Sequence, residues 1–147
     1  MRIIVDADAC PVKKIVEDVA CSNNIELIMV SNYHHLIASE YATLIVVDAA
    51  SQSADMVIAN NTCPGDIVIT QDYGLASMVL AKEGRAIHPS GNVYTVDNID
   101  GLLMQRYVNQ KARQSRQRIS NPRKRKAEDN QRFKSSLENL IKENHKL

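Results

Sequence analysis

The sequence predicts an α/β fold: a three-layer α/β/α sandwich with a mostly parallel sheet, followed by a basic helical extension. Three observations support this. Short β-branched runs are continuous rather than alternating, segments of helical period lie between them, and Lys and Arg concentrate at the end of the chain. Strands and helices that alternate at this length imply right-handed crossovers and a sheet covered on both faces.

The first element is Arg2-Ile3-Ile4-Val5-Asp6, a run suited to a strand buried on both sides. Pro11 fits a first helical turn, and Val12, Ile15, Val16, Val19 and Ala20 recur at spacings of three and four until Asn23-Asn24 stops the pattern. Further strands are expected over 25–30, 44–47, 67–70 and 85–88. Between them, 53–60 begins at Ser53, a plausible cap. The segment 72–82 places Leu75, Met78 and Val79 on one face and stops at Gly84. After the Pro89-Ser90-Gly91 turn, Asp97-Asn98 can cap a helix whose buried stripe is Ile99, Leu102, Leu103 and Tyr107. Ser120-Asn121-Pro122 marks a break. Phe133, Leu137, Leu140 and Ile141 then recur at helical spacing, so a final helix should dock on the body or on a second subunit.

A chain of 147 residues is about one domain long. Residues 1–110 are expected to form the α/β domain and 111–147 a basic C-terminal extension. The content of 44% hydrophobic and 24% charged residues fits a globular protein that folds without a staple. No apolar run approaches the roughly 20 residues that span a bilayer, and the start turns acidic before a signal-peptide core could form, so no membrane association and a cytoplasmic location are expected. Cys10, Cys21 and Cys63 lack the paired spacing of zinc ligands or of a redox dithiol.

The net charge of +1 hides a division. Residues 1–110 carry 6 Lys/Arg against 13 Asp/Glu, net −7, and residues 111–147 carry 12 against 4, net +8. A basic arm suits a polyanion, because Lys and Arg gain affinity for phosphate chains by displacing counterions; a solvated helix or an arm folded back on the acidic body would give the same composition. Arg113, Arg116, Arg118, Arg123, Lys124, Arg125 and Lys126 are the candidates for holding backbone phosphates. With 4% aromatic residues and no Trp, base stacking is poorly supplied, so recognition of RNA would rest on backbone charge.

Ligands of open parallel sheets bind outside the carboxyl ends of the strands. There the sequence places Asp6 and Asp8 after the first strand, Asp48 after the third, Asp55 in the first turn of the next helix and Asp72 after the fourth. In an extended Asp-x-Asp segment both side chains leave one face, so Asp6 and Asp8 can address one ion. Clustered carboxylates repel one another unless a cation sits among them, and hard oxygen ligands favour Mg²⁺ or Mn²⁺. Such ions activate water for phosphodiester hydrolysis. Asp72 is equally suited to helix capping and Asp48 to a turn. Asn32, Ser51 and Thr70 could orient ligands or water. His34-His35 reads as polar loop surface, and His88 could face the crevice. The chain has no Gly-x-Gly-x-x-Gly or Walker loop.

The segments Asp6-Ala7-Asp8-Ala9-Cys10-Pro11-Val12-Lys13, Thr70-Gln71-Asp72-Tyr73-Gly74-Leu75-Ala76 and His88-Pro89-Ser90-Gly91 resemble the bacterial YaiI/YqxD family, and the resemblance continues through Asp97-Asn98-Ile99 and 128–133. That family is grouped with PIN-like domains, so the resemblance implies a PIN-like fold related to metal-dependent ribonucleases. It maps their acidic residues onto Asp6, Asp55 and Asp72, with Asp8 added by the family's own Asp-x-Asp pattern. Asn121-Pro122 stands where the family often has Gly-Pro.

Three functions are then open. The first is a metal-dependent nuclease on RNA, with Asp6, Asp8, Asp55 and Asp72 catalytic and Asp48 joining them as ligands of Mg²⁺ or Mn²⁺. The second is a non-catalytic RNA- or ribosome-binding protein that keeps the acids as structure. The third is a haloacid-dehalogenase-type phosphatase with Asp6 as nucleophile, against which Cys10 stands where Thr or Val is expected. The apolar stripe on the last helix also permits a homodimer.

Overall fold

The computed structural model describes residues 1–8, 10–32, 39–48, 53–114 and 124–145. Its strands are β1 (Arg2–Asp6), β2 (Glu26–Asn32), β3 (Thr43–Val47), β4 (Ile67–Ile69), β5 (Arg85–Ile87) and β6 (Val93–Tyr94), hydrogen-bonded in the order β3-β2-β1-β4-β5-β6. The first five run parallel, and β6 adds antiparallel to β5. The helices are α1 (Lys13–Ser22), α2 (Ala54–Asn61), α3 (Tyr73–Ala81), α4 (Val96–Gln114) and α5 (Ala127–His145).

Continuous apolar strands are needed in β1, β2 and β4, where both faces of the sheet are covered; at the edge, β3 leaves Leu44 and Val46 exposed. Ile3, Ile4 and Val5 in β1 are fully buried, yet they belong to opposite layers. Ile3 and Val5, with Ile67 and Ile69, face α1 and α5; Ile4 and Val68 face α2, α3 and α4. This alternation makes the sandwich.

The terminal helix belongs to the body. Phe133, Leu137, Leu140 and Ile141 are buried in the same cluster as Val16, Val19 and Ala20 of α1. Of the two docking partners the sequence left open for this stripe, the structure selects the chain's own core. Its start is held because Asp129 Oδ2 accepts the Lys126 backbone N–H at 2.7 Å. Gly91, at φ +97°, lies against the backbone of Arg132, where a Cβ would come within 3.1 Å.

Several local expectations change. Pro11 and Val12 precede α1 in a turn rather than opening the helix. The cap of α4 is Thr95, not Asp97: Thr95 Oγ1 accepts the Asn98 N–H at 3.1 Å while Asn98 Oδ1 accepts the Thr95 N–H at 2.8 Å. The helix then runs to Gln114, across the expected boundary at residue 110. Tyr107, assigned to the buried stripe, is 54% exposed. At two residues, β6 is too short for a periodic signal. Ser120-Asn121-Pro122 lies outside the described residues. No helix among those described is long and apolar enough to cross a membrane.

Candidate functional site

The chain leaves β1 towards β2, while β4 pairs on the other side of β1, so connections diverge between the carboxyl ends of β1 and β4. This is where ligands of open α/β sheets bind. Asp6 is the last residue of β1, and Thr70 follows β4, buried at 1% exposure. Thr70 Oγ1 donates to Asp6 Oδ2 at 3.0 Å and accepts the Asp72 backbone N–H at 3.0 Å. The Tyr94 hydroxyl donates to the Thr70 carbonyl at 3.1 Å, tying β6 to the same point. One hydroxyl therefore joins Asp6 to the start of α3.

Burial pushes the Asp6 carboxyl above its ordinary range, the Thr70 hydrogen bond opposes this, and the charges of Asp8 and Asp72 add to the rise. Asp6 thus lies in the field of two other carboxylates.

Asp8 takes a different direction from the one periodicity implied. β1 ends at Asp6 and the chain turns, with the Cys10 N–H bonded to the Ala7 carbonyl at 3.3 Å. Asp8 turns onto β2: Oδ1 accepts from Ser31 Oγ and Oδ2 from the Asn32 N–H, both at 2.9 Å. Asp6 leans towards β4 and Asp8 towards β2, so the shared-face argument for an extended pair does not hold. Asp72 caps α3, its Oδ1 accepting the Gly74 and Leu75 N–H groups at 2.8 and 3.2 Å. Asp55 occupies the first turn of α2, where Ser53 is the cap, and Asp48 is exposed just after β3. Asp8 and Asp72 thus also have structural work, one on β2 and the other at the start of α3.

Among the described residues, no group of three or more His, Cys, Asp or Glu side chains is arranged to hold a metal ion. The expected convergence of five carboxylates is therefore looser than the sequence suggested. Asp8 and Asp72 nevertheless each act electrostatically on Asp6, and all three carry hard oxygen donors. By donor chemistry alone, oxygens of this kind suit a hard cation such as Mg²⁺ or Mn²⁺ rather than a soft one.

Beside this edge, His88 follows β5. Its Nδ1 accepts the Ser90 N–H at 2.9 Å, and its ring meets Tyr94 edge-on at 6.3 Å. Burial lowers the His88 pKa, and the charge of Arg125 lowers it further. The same guanidinium acts on Cys10, whose thiol burial pushes up. Arg125 Nε donates to Asn130 Oδ1 at 2.7 Å, and its Nη2 is buried without a partner among the described residues. Of the expected phosphate-holding run, Lys124 and Lys126 are exposed, whereas Arg125 is turned inward towards the carboxyl edge. Arg113 lies on α4, but its side chain is outside those described, as are Arg116, Arg118, Arg123, Ser51, His34 and His35.

The family model described as "Uncharacterized BCR, YaiI/YqxD family" matches residues 4–143. The chain belongs to the YaiI/YqxD family. It is 48% identical over 141 residues to a UPF0178 protein of Clostridium kluyveri, covering 96% of this chain and 93% of that one. It is 50% identical over 141 residues to a UPF0178 protein of Clostridium tetani, covering 96% and 94%. For one of Natranaerobius thermophilus the identity is 48%, covering 96% of each chain. No solved structure matches.

In this YaiI/YqxD chain the residues that hold the site were less visible than the acids. Ser31, buried at 3% and bonded to Asp8, is a lone hydroxyl ending an apolar run, which was the available signal. Tyr94 and the inward turn of Arg125 had none, because both depend on contacts across more than 20 residues of sequence.

Proposed function

We propose that this protein is a divalent-metal-dependent hydrolase of phosphodiesters, acting on RNA, with Mg²⁺ or Mn²⁺ held at the Asp6 crevice. The observation that carries the reading is the state of Asp6: a partly buried carboxylate at the switch point, its proton affinity raised by burial and by two neighbouring carboxylates. A divalent cation there would offset that repulsion and supply Lewis acidity and an activated water.

The chain's own residues divide the remaining work. Thr70 orients Asp6, and Ser31 with the Asn32 N–H orients Asp8, so neither carboxylate must be ordered when substrate arrives. Asp72 keeps the first turn of α3 against the crevice. Asp55, in the first turn of α2, and Asp48, after β3, would be the further carboxylates available to such an ion. Exposed Lys124 and Lys126 hold backbone phosphate, and the scarcity of aromatic rings leaves recognition to charge. The PIN-like likeness and a cytoplasmic location belong to this same reading.

A second reading, a non-catalytic RNA-binding protein, is favoured by the hydrogen bonds that occupy Asp8 and Asp72 in structural roles. The experiment that decides is incubation of the purified protein with single-stranded RNA and Mn²⁺ or Mg²⁺, beside an Asp6→Asn, Asp8→Asn double variant. Metal-dependent cleavage that the double variant loses supports the hydrolase. Cleavage that survives in the variant rejects this site, and RNA binding without cleavage under either metal selects the second reading.

A further inference from the structure

The inner face of α4 packs Ile99, Leu102 and Leu103 against the α2/α3 layer. At about 100° per residue, Asp97, Gly101, Met104, Val108 and Lys111 fall on the opposite side, with Tyr107 and Asp100 on its flank. There Met104 is 62% exposed, Tyr107 54% and Val108 51%. Among the described residues these three lie outside both core clusters, and Tyr107 meets only Lys111 of the same helix, whose Nζ stands 5.6 Å from the ring centroid; the stripe on α5 is buried in the core.

We propose that the outer face of α4 pairs with the α4 of a second copy of this chain, antiparallel, about a two-fold axis at Met104. Two features of the helix select that occupant. The first is charge: Asp97 and Asp100 lie near its start and Lys111 near its end, so antiparallel pairing centred on Met104 sets Asp97 against the partner's Lys111 twice over, with the two helix dipoles opposed. Parallel pairing would set like charges together. The second is Gly101. Glycine inside a helix is unfavourable relative to alanine, and among the described residues nothing beyond its own helix and chain neighbours lies within 4 Å of where its Cβ would be, so no tertiary contact seen there demands it. In the same register Gly101 faces the partner's Tyr107, whose ring can lie directly on the bare backbone. Met104 meets Met104, and Val108 covers the stem of Asp100.

One helix from each copy buries an area at the low end of specific interfaces, below about 1,200 Å², so the dimer should be reversible, with a Kd on the micromolar scale. The inference stands apart from the hydrolase reading. Sedimentation equilibrium of the full chain from about 1 to 500 µM tests it across that affinity range. The expected result is a monomer–dimer equilibrium that Met104→Glu abolishes, with the circular dichroism spectrum unchanged. Asp97→Lys should weaken it by about tenfold, and Asp97→Lys combined with Lys111→Asp should restore it. A monomer at every concentration overturns the proposal and leaves the stripe to a different protein. A dimer indifferent to Met104→Glu overturns the choice of face. A dimer that Met104→Glu dissolves but the double swap fails to restore overturns the antiparallel register.

Discussion

Thr70 Oγ1 reaches across the boundary between β4 and β1 to donate to Asp6 Oδ2 at 3.0 Å, and the same oxygen accepts the N–H of Asp72 at 3.0 Å. A single buried hydroxyl thus couples Asp6, whose carboxyl is pushed above its ordinary range, to the helix that follows β4. The consequences of that coupling can be measured.

Asp6 is pushed above its ordinary range in the fold, so the fold favours its protonated form. Stability is then highest below the ordinary carboxylate pKa and is lost as pH rises through the raised value. Asp6→Asn keeps an acceptor for Thr70 and removes the charge. It should melt higher than the wild type at pH 7, by about 2–4 °C for each kcal/mol of burial cost and repulsion relieved, and lose that advantage near pH 3. Added Mn²⁺ should raise the melting temperature of the wild type and not of the variant. A variant that melts lower at pH 7 would show that Asp6 is stabilised as an anion.

His88 is expected to titrate below ordinary histidine values, because burial and then the charge of Arg125 disfavour its imidazolium. The sign is opposite to that of Asp6: its contribution is present above the ordinary histidine pKa and is lost as pH falls through the lowered one. Protonation would also place a hydrogen on Nδ1 against the Ser90 N–H. Imidazole titration by NMR should show the lowered value, and Arg125→Met should move it part of the way back. An unmoved value would mean that Arg125 does not sit beside His88 in solution.

Phe133→Ala tests whether the basic end of the chain is part of the core. Phe133 is fully buried between α5 and the sheet. Its truncation should cost about 3–5 kcal/mol, read from urea denaturation, as for other buried phenylalanines. A cost under about 1 kcal/mol would mean that α5 is an independent arm, since exposed positions rarely cost more.

Much of the fold was legible along the chain. The inner parallel strands show as continuous apolar runs, and α1 and α5 as stripes at helical spacing, because burial on both faces of a sheet or one face of a helix leaves a mark in the sequence, while the apolar run of β3 lies at an edge that leaves Leu44 and Val46 exposed. Ser53 and Asp72 were readable as caps for the same local reason. The start of α4 was misread because Thr95 and Asn98 cap reciprocally, and either end of that pair looks sufficient alone.

At the candidate site, the sequence by itself determined which acids could stand at the carboxyl edge, since each follows a strand or opens a helix. Their relation to one another was decided by the tertiary structure. The strand order made Asp6 and Thr70 neighbours across 64 residues. The turn after Asp6 sent Asp8 to Ser31 and Asn32 on β2. The packing of α5 brought Arg125 to His88 and left the α4 stripe, rather than the α5 one, facing outward. The physical reason is common to all of these: periodicity records whether a residue is covered, and only the closed chain decides which residue covers it.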